Sequence, residues 1–110
     1  MRVPNADQAI VPSRKITQYL LDLTSPKGHD KAVVFIHFGF SMAQWEKLEI
    51  QLLRHVLYND VSKVENRGDL TIYVVAGFIE TPSNRPLLLR SVWKVEQGQT
   101  VPYLVTAYPE

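Results

Sequence analysis

The spacing of the apolar residues changes near residue 60, from a helical period to the alternation of strands. Before that point, the pattern predicts three helices over residues 13 to about 21 or 23, residues 29–38 and residues 41 to about 58–60. Ser13 and Ser41 are candidate N-caps, and the turn-forming segment 25–28 ends the first helix. The second helix is the ambiguous one, because its β-branched segment 33–36 would also suit a buried strand.

Beyond residue 60 the pattern predicts four strands, over residues 61–67, 70–80, 86–95 and 101–109. Helices first and strands afterwards indicate an α+β fold. We expect two to three N-terminal helices packed on one face of a four-stranded antiparallel meander. We interpret residues 1–110 as a single domain, with a helical half (1–60) and a sheet (61–108).

Strand alternation assigns the polar residues of the last two strands to faces. Arg90 and Lys94 fall on one face of the third strand, which is open if the helices cover the other face. On the last strand, Leu104, Thr106 and Tyr108 are expected to share a face. Neighbouring strands would then bring Arg90, Thr106 and Tyr108 together as a phosphate- or oxyanion-binding group. The alternative is an ordinary half-polar sheet face with cross-strand pairs.

Composition narrows the classes of function. The chain has 12 basic and 11 acidic residues and a net charge of +1, whereas a dedicated nucleic-acid binder is usually much more basic. It has no cysteine, which excludes disulfides, zinc thiolate sites and thiol nucleophiles. No N-terminal signal sequence and no run of about 18 apolar residues is visible, so we expect a cytoplasmic protein without membrane contact.

The histidines do not have metal-binding spacing. His29, His37 and His55 form no H-x-x-x-H or H-E-x-x-H pattern, so we predict no metal and no cofactor, and only His29 is kept as a functional candidate. Lys27, His29 and Lys31 precede or begin a helix, where they would present positive charge to a phosphate. The alternative is a solvated loop with an ordinary scatter of charges.

Several short segments together resemble an uncharacterised bacterial family of about this length. They are Pro4-Asn5-Ala6-Asp7, Tyr19-Leu20-Leu21, Ser25-Pro26, Gly39-Phe40, Val92-Trp93 and Val105-Thr106-Ala107-Tyr108-Pro109. More distantly, helices followed by a four-stranded sheet with this last strand are similar to the barnase/EndoU/colicin/RelE superfamily of toxin ribonucleases. That resemblance implies RNA cleavage without a metal ion, in which the 2′-hydroxyl attacks the adjacent phosphate.

The resemblance and the chemistry of the residues together give a predicted site. Lys31, Thr106 and Tyr108 follow from the resemblance, and Arg90 and His29 from their position and chemistry. The candidate catalytic residues are Lys31, Arg90, Tyr108 and His29, and the candidate substrate-binding residues are Thr106, Lys27 and Lys94. The expected partners are RNA and a cognate antitoxin or immunity protein. The alternative function is a non-enzymatic interaction module, the partner or immunity member of a toxin–antitoxin-like pair.

Overall fold

A computed structural model describes all 110 residues. The helices are α1 (Ser13–Lys15), which continues into a π-helical turn (Ile16–Leu20), α2 (His29–His37) and α3 (Glu46–Tyr58). Short 3-10 turns occupy Ala6–Gln8 and Met42–Gln44, and the Ser41 hydroxyl caps the second of them by accepting a hydrogen bond from the Gln44 N–H. The ambiguous segment is therefore helical, as we favoured. None of these helices combines the length and the apolar character that crossing a bilayer requires.

Four strands form one sheet: β1 (Val61–Asn66), β2 (Leu70–Ile79), β3 (Leu87–Glu96) and β4 (Tyr103–Pro109). Their spatial order is β1-β2-β3-β4, and every neighbouring pair is antiparallel. The helices precede the sheet in the chain and pack on one of its faces. The α+β prediction is confirmed.

The alternation predicted for β3 is also observed. Leu89, Ser91 and Trp93 are fully buried on the face that packs against the helices, within a continuous apolar core. Arg90 and Lys94 are half-buried on the opposite, open face. On β3, the open face therefore carries charged side chains, whereas the covered face is apolar apart from the Ser91 hydroxyl and the Trp93 indole N–H.

A β-bulge changes the faces of β4. Thr106 pairs with Val92, but the next pair along the strands is Leu104 with Trp93, so Val105 is an extra residue. Leu104 is consequently buried in the core, on the side opposite to Tyr108. The prediction that Leu104 shares a face with Thr106 and Tyr108 is wrong, because strict alternation does not survive an inserted residue.

A buried hydrogen-bonded chain joins α3 to the sheet. The Trp93 indole Nε1 donates to Ser91 Oγ at 2.8 Å, and Ser91 Oγ lies 2.7 Å from His55 Nδ1. His55 Nε2 lies 3.0 Å from the carbonyl oxygen of Gly77 and must donate to it, so Nδ1 accepts from the Ser91 hydroxyl. Burial lowers the pKa of His55, against the raising effect of its backbone hydrogen bonds, and keeps the imidazole neutral.

The first ten residues contact both edges of the sheet. At one edge, the Val61 N–H donates to the carbonyl of Met1 at 2.7 Å. At the other, the Ile10 N–H donates to Pro102 at 2.9 Å, and the Leu104 N–H donates to Ile10 at 3.0 Å. The N-terminal segment therefore satisfies edge groups at the start of β1 and the start of β4.

Candidate functional site

A cleft of about 560 Å³ lies where α2 and the π-helical turn meet the edge strand β4. Its lining is Tyr19, Asp30, Lys31, Val34, Thr106, Tyr108 and Pro109. Three of the residues predicted from the sequence, Lys31, Thr106 and Tyr108, thus lie around one cavity. Clefts with a few convergent polar groups are the usual setting of ligand sites.

Tyr19 is the centre of the cleft's hydrogen-bonding and charge pattern. Its phenol oxygen lies 2.8 Å from Thr106 Oγ1. The ammonium nitrogens of Lys31 and Lys15 lie 5.3 and 5.9 Å from the centroid of its ring. The Lys15 ammonium is held by the Val105 carbonyl, to which it donates at 2.9 Å. A phenol with two cations close to its ring is thereby fixed at the edge of β4.

The π-helical turn determines where the Tyr19 side chain lies. The Leu21 N–H donates to the carbonyl of Ile16, five residues back, which widens the helix at this point. Gly28 packs directly against the widened turn, since a Cβ at this glycine would lie 2.1 Å from the carbonyl oxygen of Tyr19. Only glycine fits this contact without moving the backbone of the turn.

The surroundings of Tyr19 change its acidity. Partial burial by itself raises the pKa of the phenol, but the hydrogen bond with Thr106 and the nearby ammonium groups of Lys31 and Lys15 outweigh that effect. The net result is a pKa below the ordinary value of 10.0. The phenol of Tyr19 is therefore a stronger proton donor than a free tyrosine.

Arg90 lies beside the cleft and has an acidic partner. It pairs across the sheet with Tyr108, one of the lining residues. Its guanidinium forms a salt bridge with Glu110, and the hydrogen bond and charge of that carboxylate raise the pKa of Arg90 further. Glu110 would have to release the guanidinium before Arg90 could bind a phosphate.

The remaining candidates lie apart from the cleft. His29 turns its Nδ1 to the carbonyl oxygen of Leu23, 2.9 Å away, within its own loop. Lys27 is exposed in that loop and approaches Lys31 only through its backbone carbonyl, at 3.4 Å from Lys31 Nζ. Lys94 lies on β3 opposite Tyr103, the first residue of β4, and its ammonium is 3.2 Å from Glu96. No group of three or more His, Asp and Glu side chains is arranged to hold a metal ion.

The chain was compared with known families. Residues 2–110 match the model of a family described as "Domain of unknown function (DUF6883)". The protein belongs to the DUF6883 family. No curated protein sequence matches it.

The DUF6883 fold also occurs in a solved complex. This chain is similar to a chain of a contact-dependent growth inhibition toxin–immunity protein complex from Klebsiella pneumoniae 342, with a TM-score of 0.73. The sequence identity is 13%, and the similarity covers 93% of this chain and 100% of that one. At this identity the likeness establishes a shared fold.

Sequence reasoning missed Tyr19 and Lys15 as site residues of this DUF6883 chain. Tyr19 has helical spacing to Ile16 and Leu23, so the pattern groups it with the apolar residues of the first helix. The π-helical turn breaks that period, so Ile16 and Leu20 are buried while Tyr19 borders the cleft. The sequence signal for this arrangement is Gly28, because the backbone of the π-helical turn at Tyr19 leaves no room for a side chain there.

Proposed function

We propose that this protein is a metal-independent endoribonuclease of a bacterial toxin–immunity system, and that RNA is cleaved in the Tyr19 cleft. The observation that carries the proposal is the placement of the Lys31 and Lys15 ammonium groups 5.3 and 5.9 Å from the ring of Tyr19, whose phenol has a lowered pKa and is hydrogen-bonded with Thr106. The fold shared with a chain of a toxin–immunity complex supports it. Cations and hydroxyl groups that converge on one cleft suit the charge of a phosphodiester.

The proposed reaction is an internal transfer at phosphorus. The 2′-hydroxyl oxygen forms a bond to phosphorus as the bond between phosphorus and the 5′-oxygen breaks, which yields a 2′,3′-cyclic phosphate and a 5′-hydroxyl. Lys31 would stabilise the negative charge that builds on the phosphate oxygens, and Thr106 and Tyr108 would position the phosphate by hydrogen bonds. Tyr19 would donate its proton to the leaving 5′-oxygen. The 2′-hydroxyl would release its proton to water in the open cleft. Tyr19 would then take up a proton from water to replace the one it donated to the 5′-oxygen.

The test is inducible expression in bacteria, with growth and total RNA integrity as readouts. We expect arrest and RNA cleavage from the wild type, and a loss of at least about 100-fold in cleavage rate for Lys31→Ala and Tyr19→Phe, as is typical for a transition-state donor or a general acid. Lys47→Ala is the matched control, because Lys47 is an exposed, unpaired lysine on α3. Intact RNA at high levels of folded wild type would refute the proposal.

A non-enzymatic partner or immunity protein is the second candidate function. The neutralised charges of the open sheet face favour it, since Arg90 pairs with Glu110 and Lys94 with Glu96. Phe78, which is 65% exposed on β2, adds an apolar contact point to that face. If the RNA stays intact, affinity capture with Phe78→Ser as the negative control would test this function. Capture of a specific protein by the wild type and not by the variant is then the expected result.

A further inference from the structure

A second groove lies at the other end of β4, about 300 Å³ in volume, and Arg14, Lys94, Glu96 and Tyr103 are among its lining residues. Arg14 Nη2 lies 3.5 Å from the Tyr103 hydroxyl, and the Lys94 ammonium lies 5.6 Å from the centroid of the same ring. An aromatic ring flanked by cations is suited to stacking a base and holding the adjoining phosphates.

The β-bulge in β4 aligns this groove with the Tyr19 cleft. In a regular strand, residues five apart point to opposite faces, so Tyr103 and Tyr108 would be separated. With the bulge between them, Tyr103 pairs with Lys94 and Tyr108 with Arg90, two residues on the same face of β3. Both tyrosines therefore lie on the open side of β4, opposite residues four apart on β3 and so roughly 13 Å from each other at ~3.3 Å per residue.

A row of uncompensated cations follows the same edge. Arg14, Lys15 and Lys31 have no carboxylate within 4 Å, unlike Lys94, which Glu96 pairs. Lys15 is in the middle of the row, where its ammonium donates a hydrogen bond to the carbonyl of the bulge residue Val105. The edge of β4 thus concentrates positive charge on a protein whose net charge is only +1.

We propose that this edge binds a single-stranded RNA segment of about four nucleotides, given ~3.4 Å per nucleotide of a stacked strand. We call Arg14, Lys15, Lys31, Tyr103 and Tyr108 the β4 track. A base stacks on Tyr103, and the phosphates lie along the cations towards the cleft. Paired bases cannot stack on the ring, so a duplex should bind more weakly than a single strand. The inference rests on the proposed function, because the cleft is one end of the track.

The test is fluorescence anisotropy with labelled 2′-O-methyl RNA oligonucleotides, which lack the attacking hydroxyl and cannot be cleaved. We expect affinity to rise with length up to about four nucleotides and then to level off, with an eight-base-pair duplex of the same sequence bound more weakly. Tyr103→Ala should weaken binding of an eight-nucleotide strand about tenfold, whereas Tyr103→Phe retains the stacking. Arg14→Ala should reduce the salt dependence, d log K/d log [salt], by about 0.7. Tyr58→Ala and Arg54→Ala are matched controls on α3.

The outcomes separate the track from the proposed function. If the protein cleaves RNA but Tyr103→Ala and Arg14→Ala behave like their controls in KM and in binding, the track is wrong and the function stands. If strands bind as expected but RNA is never cleaved, the track stands and the ribonuclease proposal fails. Equal affinity for duplex and single strand, or no binding of any oligonucleotide, overturns the track.

Discussion

Ser91→Ala tests the buried chain that joins α3 to the sheet. Ser91 is fully buried, and its hydroxyl is the hydrogen-bond partner of both the Trp93 indole and His55 Nδ1. Alanine removes one oxygen atom but leaves two buried polar groups without a partner. Each unpaired group costs about 1–3 kcal/mol, so we expect the free energy of unfolding to fall by about 2–6 kcal/mol.

That loss is large for a chain of this size. At ~0.05–0.15 kcal/mol per residue, a 110-residue chain has about 5–15 kcal/mol of stability in all. The loss corresponds to a fall in melting temperature of roughly 8–24 °C, at about 4 °C for each kcal/mol. Urea unfolding followed by far-UV circular dichroism measures it directly. The matched control is Ser62→Ala on β1, where the hydroxyl is on an exposed residue and bonds only to the Val74 carbonyl.

A double-mutant cycle distinguishes the hydrogen-bonded chain from a generic packing defect. Trp93→Phe removes the indole N–H, so Ser91→Ala in that background leaves one group unpaired instead of two. We expect the serine substitution to cost about 1 kcal/mol less there. A loss below about 1 kcal/mol in the single variant, or strict additivity in the cycle, would refute this account of the network.

Two further predictions concern the same network and the cleft. Because the pKa of His55 is lowered in the folded state, the unfolded chain binds more protons as pH falls below its ordinary value near 6.5. The free energy of unfolding should therefore decline from pH 7.5 to pH 5.5, with a contribution from His55 of up to about 1.4 kcal/mol per pH unit. The decline is measured as a fall of the urea midpoint with pH. We expect His55→Gln to abolish this pH dependence and His37→Gln to preserve it. Gly28→Ala would push the backbone at Tyr19, so we expect a loss of about 1–3 kcal/mol and reduced RNA cleavage; a wild-type melting temperature would contradict the proposed contact.

The fold was largely predictable because its elements follow the period of their apolar residues. Ser41 begins the segment that leads into α3, and Leu48, Leu52 and Val56 are buried along that helix as the period requires. Antiparallel strands in chain order also follow from the short connections between them. His55 shows the limit of such patterns, because its burial depends on Ser91 and Gly77, which no local spacing relates to α3.

The site was predicted only in part, because it depends on two local irregularities. The predicted residues Lys31, Thr106 and Tyr108 do lie around one cleft. The bulge at Val105 and the π-helical turn before Leu21, however, cannot be predicted from the spacing of the apolar residues. The bulge adds one residue to β4 and reverses the faces beyond it, and the π-helical turn adds one residue to the helix and rotates the side chains beyond it by about 100°. Ion pairing is similarly invisible, since Glu110 acquires its importance only by reaching Arg90 across the sheet.

The N-terminal segment has a consequence for how the chain folds. Ile10 bonds to residues more than ninety positions later, so its contacts are among the most distant that a chain of this length permits. Such contacts form only after a large loop has closed, which slows folding. The segment around Ile10 therefore cannot pair until β4 has been made, although Met1 can bond to the start of β1 earlier. Folding of residues 1–110 should then finish with the docking of this segment against β4.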